Sequence, residues 1–170
     1  MSHSSFLFWL LTIIDLGCGN FPLTSYLFQE ICKIININLN LTLLDKSTNP
    51  DQKIQFLDYK NFSSFSNLKN SIKPDVILAS DLLYFEKDFD YVLACCKYLA
   101  EPGMTKIFMV VEIRDSKLPL ILKGYFERWG FEFEVIFDTL VTSIQKIDFE
   151  DEKLSIDPGK HLIFYLLEVL

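Results

Sequence analysis

Two stretches of this chain combine residue types and spacings that have chemical meaning. The first, Thr12-Ile13-Ile14-Asp15-Leu16-Gly17-Cys18-Gly19-Asn20, leads from an apolar strand into an acid and two glycines. Gly17 takes backbone angles closed to other residues, and Gly19 lets the main chain approach a ligand with no Cβ in the way, so a nucleoside fits against such a loop. A tight strand-to-helix turn with no ligand explains the glycines equally well. Asp15 tips the balance, because an acid at the strand exit has little structural reason to be there and suits an ammonium or an ordered water. The second stretch is Pro74-Asp75-Val76-Ile77-Leu78-Ala79-Ser80-Asp81-Leu82-Leu83-Tyr84-Phe85, in which a buried strand opens into an acid and then an aromatic pair.

These stretches need a scaffold, and the rest of the chain supplies one. Short apolar runs alternate with segments of helical period. Strands are expected at Leu10–Ile14, Leu41–Leu44, Lys53–Leu57, Asp75–Ser80, Lys106–Val111, Phe131–Phe137 and His161–Val169. Helices are expected from Pro22, in the first turn behind a capping Asn20, to about Ile34, then at Lys87–Ala100 and Lys117–Trp129, the last stopped by Gly130. The fold class is therefore α/β: a Rossmann-like, open, mostly parallel seven-stranded sheet with helices on both faces and an antiparallel C-terminal strand pair. Ligands of such sheets bind beyond the carboxyl ends of the strands, where Asp15, Asp45, Asp58 and Asp81 all fall.

Residues 15–19 match the first motif, D/E-x-G-x-G-x-G, of the seven-stranded S-adenosylmethionine-dependent methyltransferases, which the chain resembles. Phe21, followed by Pro22, stands at that motif's third glycine. The dinucleotide fingerprint G-x-G-x-x-G fits less well, because Pro22 replaces its last glycine. The resemblance implies S-adenosylmethionine as cofactor, held by Asp15, Gly17, Cys18, Gly19, Asn20 and Ser80. It implies Asp45 as acceptor for both ribose hydroxyls, and Asp58 as acceptor for the adenine amine with Leu57 or Tyr59 against the ring. An N-cap or surface turn remains an equal reading of Asp45, and a turn remains a reading of Asp58.

Asp81-Leu82-Leu83-Tyr84 resembles the D-x-x-Y motif of the protein-lysine methyltransferases grouped as methyltransferase family 16, and Glu112-Ile113-Arg114 resembles the end of their fifth strand. That implies transfer of a methyl group to a lysine amine, with Asp81 and Tyr84 catalytic and Leu82, Phe85, Glu112 and Arg114 facing the substrate. The chemistry is consistent with these types. A free lysine has a pKa of about 10.4, so presenting it neutral at pH 7 costs roughly 4–5 kcal/mol unless apolar walls lower that value. An N-cap role for Asp81 and a core role for Tyr84 are the structural alternatives. Base-modifying relatives carry N/D-P-P-Y/F at this strand end, and Leu82-Leu83 replaces both prolines.

A formal charge of −7 opposes a phosphate backbone, so nucleic acid is not the expected partner. The apolar stretch Phe6–Ile14 is too short to span a membrane, which takes about 20 residues, and no Lys or Arg precedes it. Cys18, Cys32, Cys95 and Cys96 lack the spacing of a zinc site, and reduced core thiols in a cytoplasmic or nuclear protein are expected. The chain reads as one methyltransferase domain over residues 1–170, short of the N-terminal cover that the resemblance implies. Two rivals stay open: a noncatalytic methyltransferase-like interaction protein, and a small-molecule methyltransferase with Thr142–Lys160 as either a substrate loop or a solvated hairpin tip.

Overall fold

Alternation along the strands decides what each face buries. The computed structural model describes residues 10–19, 23–46, 54–140, 145–149, 152–156 and 160–170. In β1 (Leu10–Leu16) Ile13 is buried on one face and Ile14 and Leu16 on the other. The same alternation recurs in β4 (Val76–Ser80), where Val76 and Leu78 join Ile13 while Ile77 and Ala79 join Ile14. A strand buried on both faces reads as an unbroken apolar run, which is why Val76-Ile77-Leu78-Ala79 is visible in the sequence.

The sheet has the order β3-β2-β1-β4-β5-β9-β6, with β2 Asn38–Asp45, β3 Gln55–Phe56, β5 Lys106–Glu112, β6 Phe131–Leu140 and β9 His161–Val169. The pairs β1/β2, β2/β3, β1/β4 and β4/β5 are parallel, and β9 runs antiparallel to both β5 and β6. The chain builds outward from β1 in one direction and from β4 in the other. The carboxyl ends of these two neighbouring strands therefore flank the topological switch point, where a crevice opens.

Helix α1 (Leu23–Ile34) covers the Ile13 face through Phe28, whereas α4 (Glu86–Leu99) and α5 (Leu118–Trp129) bury Phe89, Val92, Leu122 and Phe126 against the opposite one. Phe89 and Phe126 are almost fully enclosed, and each contributes about 1.5–3 kcal/mol on that account. Glu86 and Asp88 in the first turn of α4 and Lys97 in its last complement the helix dipole. Gly130, at φ 70°, ends α5 by donating its N–H to the carbonyls of Phe126 and Glu127.

The seven-stranded mixed sheet agrees with the expectation; several boundaries do not. The second strand starts at Asn38, and the third is only Gln55–Phe56. The polar stretch after Asn61 folds into two short helices, α2 (Phe62–Phe65) and α3 (Leu68–Ser71), because Phe62 and Phe65 find Tyr98 of α4 at ring-centroid distances of 5.0 and 5.7 Å. Between β6 and β9 lies a separate antiparallel ribbon, β7 (Gln145–Phe149) with β8 (Glu152–Ile156). Asn20, Phe21 and Pro22, and with them the expected cap and first turn, lie outside the described residues.

Candidate active site

The glycine loop is fastened to the end of β2. The Gly17 N–H donates to the Leu44 carbonyl at 2.7 Å, and the Gly19 N–H donates to Asp45 Oδ2 at 2.8 Å. Both glycines are left-handed, at φ 70° and 68°. They serve different ends. Among the described residues nothing would lie within 4 Å of a Cβ on Gly19, whereas a Cβ on Gly17 would collide with Leu82. The space beside Gly17 is filled by Leu82, so its glycine serves the left-handed backbone and this packing.

Asp15 is only 2% exposed and accepts a 2.6 Å hydrogen bond from Ser25 Oγ on α1. Ser25 is the structural partner that the sequence did not reveal. Burial raises the Asp15 pKa to about 6, the Ser25 hydroxyl counteracts part of that, and the charge of Asp45 adds to it. The Cys18 thiol, half-buried, is pushed up to about 12 by burial and then by Asp15 and Asp45, so it is a neutral loop residue and not a nucleophile.

The Leu57 N–H donates to the Asp45 carbonyl at 2.8 Å, which brings the end of β3 alongside. Asp58 there makes a turn: its Oδ1 accepts the Lys60 N–H at 3.0 Å, its N–H reaches Ser64 Oγ at 3.1 Å, and Lys46 Nζ lies 3.4 Å from Oδ2. Tyr59 packs half-buried against the main core. One carboxylate oxygen of Asp45 holds the glycine loop through the Gly19 N–H.

Asp81 follows β4 directly, with its N–H bonded to the Val110 carbonyl at 2.8 Å, and adopts φ 53°. Among the described residues, Asn36 alone of the other non-glycines shares a positive φ, and Asp and Asn are the side chains that tolerate it best. The Tyr84 hydroxyl donates to Asp81 Oδ2 at 2.6 Å, and this bond, ahead of burial and the Asp81 charge, raises the Tyr84 pKa. The N-cap position of α4 belongs to Phe85, and Tyr84 is 49% exposed, so neither the capping nor the core alternative describes this pair.

Asp81 and Tyr84 border a cleft of about 180 Å³ between the ends of β4 and β5 and the start of α5. Glu112 and Arg114, at the end of β5 and just beyond it, also line it. Arg114 places its guanidinium 4.4 Å from the Tyr84 ring centroid, 3.5 Å from Asp81 Oδ2 and 3.0 Å from Glu112. Lys160 Nζ meets the same carboxylate oxygen, Glu112 Oε2, at 3.2 Å. These hydrogen bonds, Arg114's first, hold the Glu112 carboxyl below its usual range.

The apolar wall is not the expected one. Leu83, Phe89, Leu118 and Ile121 form it, while Leu82 turns to the glycine loop and Phe85 is 63% exposed beside Lys87. Glu86 and Asp115 complete the lining. Helical spacing from Glu86 to Phe89 was available as a signal for the α4 contribution. The part from α5 depends on a packing that sequence period does not give. No group of three or more metal-ligating side chains occurs among the described residues.

No protein-family profile matches the chain, and no curated protein sequence matches it. Solved structures do. A precorrin-6y C5,15-methyltransferase from Geobacter metallireducens aligns with TM-score 0.55 and 13% identity over 96% of this chain and 83% of that one. A TehB-like S-adenosylmethionine-dependent methyltransferase from Corynebacterium glutamicum aligns with TM-score 0.55 and 15% identity over 93% and 80%. An S-adenosylmethionine-dependent O-methyltransferase from Thermotoga maritima gives 0.53 and 11% over 94% and 59%. The architecture is the Rossmann-like fold of class I S-adenosylmethionine-dependent methyltransferases.

Proposed function

We propose that the chain binds S-adenosylmethionine and transfers its methyl group to an amine nitrogen, most specifically the side chain of a protein lysine. The observation that carries this reading is the Tyr84–Asp81 hydrogen bond of 2.6 Å at the mouth of an apolar-walled cleft, immediately after β4. The residues present fit the cofactor: no described residue crowds the Gly19 backbone, Asp45 bonds to that backbone, and the buried Asp15 precedes the loop. Bound there, the cofactor supplies an electrophilic methyl on a sulfonium.

The chain supplies orientation. Asp45 accepts ribose hydroxyls while its Oδ2 fixes Gly19. Asp58, turned toward Lys60 and Lys46, contributes to the adenine end, with Tyr59 alongside. Asp81 accepts the Tyr84 proton at Oδ2, and a carboxylate has further acceptor sites for an amine N–H. Leu83 and Phe89 pack on the alkyl stem of an amine that arrives as a cation, attracted by Asp81, Glu86, Glu112 and Asp115. The amine's proton passes through Asp81 to water before the neutral nitrogen attacks. The Tyr84 ring face then tolerates the cationic product.

Cleft size bears on the substrate class. Pockets that engulf a whole small molecule run to about 300–1,000 Å³. The 180 Å³ here suits the end of a side chain carried by a larger partner, and the −7 charge favours a basic protein over nucleic acid. Neighbours named precorrin methyltransferases support a small-molecule substrate as the second reading. Thermal shift with millimolar S-adenosylhomocysteine tests the cofactor, and no stabilisation would favour the noncatalytic scaffold. Radiolabelled methyl transfer into a lysate, followed by mass spectrometry, tests the acceptor: label in a lysine residue supports the proposal, and label confined to metabolites replaces it.

A further inference from the structure

We infer that Arg114 is a built-in occupant of the amine site, which a substrate cation must displace, so that this residue sets how strongly the cleft selects its substrate. The inference rests on the amine reading of the site. Arg114 lies over the Tyr84 ring at 4.4 Å and against Asp81 Oδ2 at 3.5 Å. An aromatic face and a carboxylate are the two partners that an alkylammonium seeks. The guanidinium therefore stands where the incoming cation belongs, on the same two groups that the sequence motif presents.

The arrangement is built to release it. Arg114 is 50% exposed, and its contact with Asp81 is long, so withdrawal into water costs little. Its shorter bond, 3.0 Å to Glu112, does not trap it, because Lys160 at 3.2 Å keeps Glu112 paired after Arg114 leaves. Tyr84, bonded to Asp81, stays in place as the platform. A neutral or anionic ligand gains nothing from this exchange, since it takes over neither the ring face nor the carboxylate. A cation takes over both.

The test is a chemical-shift titration of the full chain with tetramethylammonium chloride at constant ionic strength, with and without S-adenosylhomocysteine. R114Q is expected to bind the probe about five- to tenfold more tightly than the wild type, the size of one exposed ion pair plus one cation–π contact. R114K restores the competing charge and is expected to return the affinity to within about threefold of wild type. Adding Y84L to R114Q should cancel the gain. Equal or weaker probe binding by R114Q overturns the inference, as does a gain that survives Y84L. Loss of acetate binding in R114Q without any cation gain also overturns it, making Arg114 a receptor for anions. Failure of S-adenosylhomocysteine to bind would sink the methyltransferase reading while leaving the titration result standing.

Discussion

Leu82 occupies the space beside Gly17 that a side chain would need: a Cβ there would stand 3.0 Å from Leu82 Cγ and closer still to its Cδ2. The cofactor loop and the D-x-x-Y segment are thereby packed against each other, and the left-handed backbone at position 17 is matched to that contact. Gly17→Ala should destabilise the fold by about 2–3 kcal/mol, combining a left-handed alanine with overpacking. Leu82→Ala in the same chain should recover part of that loss, which denaturant unfolding of the four cycle members would reveal as coupling. Strict additivity would mean that the two loops do not touch. Gly19→Ala, with no described residue within 4 Å of its Cβ, should lose only about 1 kcal/mol of stability and show its main effect on S-adenosylhomocysteine affinity.

Asp45 has two tasks that can be separated. Asp45→Asn keeps an acceptor for the Gly19 N–H, so stability should change by less than about 1 kcal/mol. The lost charge should weaken cofactor binding about tenfold or more, because ribose hydroxyls bond more strongly to a carboxylate than to an amide. Calorimetric titration of this variant decides the matter: unchanged affinity would leave Asp45 a loop fastener and nothing more.

At Asp81 the backbone dictates the choice of variant. Asparagine accepts φ 53° where alanine is strained by about 1–2 kcal/mol, and its amide oxygen still receives the Tyr84 hydroxyl. Asp81→Asn should therefore fold normally, bind S-adenosylhomocysteine within about threefold of wild type and lose methyl transfer by about 10²-fold or more. Parallel losses of binding and turnover would make Asp81 part of the cofactor pocket instead.

The strands were legible because β1 and β4 are buried on both faces and show apolar runs. But β1 carries on through Asp15 to Leu16, which puts Asp15 inside the strand and not at its exit, whereas Asp81 does follow β4 directly. Both acids could be named from the sequence alone. What they bond to could not: the Ser25 hydroxyl bonded to Asp15 comes from the next helix, and the apolar cleft wall from Leu118 and Ile121 depends on how α5 packs beside α4. Leu82 and Phe85 were misassigned for a related reason. Neighbours in sequence at a strand exit diverge, so Leu82 meets the glycine loop, Leu83 enters the cleft and Phe85 opens α4. The two short helices after Asn61 were hidden because their apolar residues are few and gain their hold from distant partners, Tyr98 and the main core.

The buried Asp15 makes stability depend on pH in a direction opposite to that of an ion-paired acid. Its pKa is about 6 in the folded protein, against 3.8 as the ordinary value, so the folded state binds the proton more tightly. Stability from this group is complete below about pH 4, falls as pH rises toward 6 and is gone above that. At pH 7 the ionised, desolvated carboxylate costs about 2–3 kcal/mol. Asp15→Asn retains an acceptor for Ser25 and carries no charge to bury. It should be more stable than wild type by about that amount at pH 7 and equal to it at pH 4, as urea unfolding at both pH values would show. A difference that does not vary with pH would mean that Asp15 is not titrating in this range. The same substitution should weaken S-adenosylmethionine binding, because it removes a buried negative charge two residues before the glycine loop.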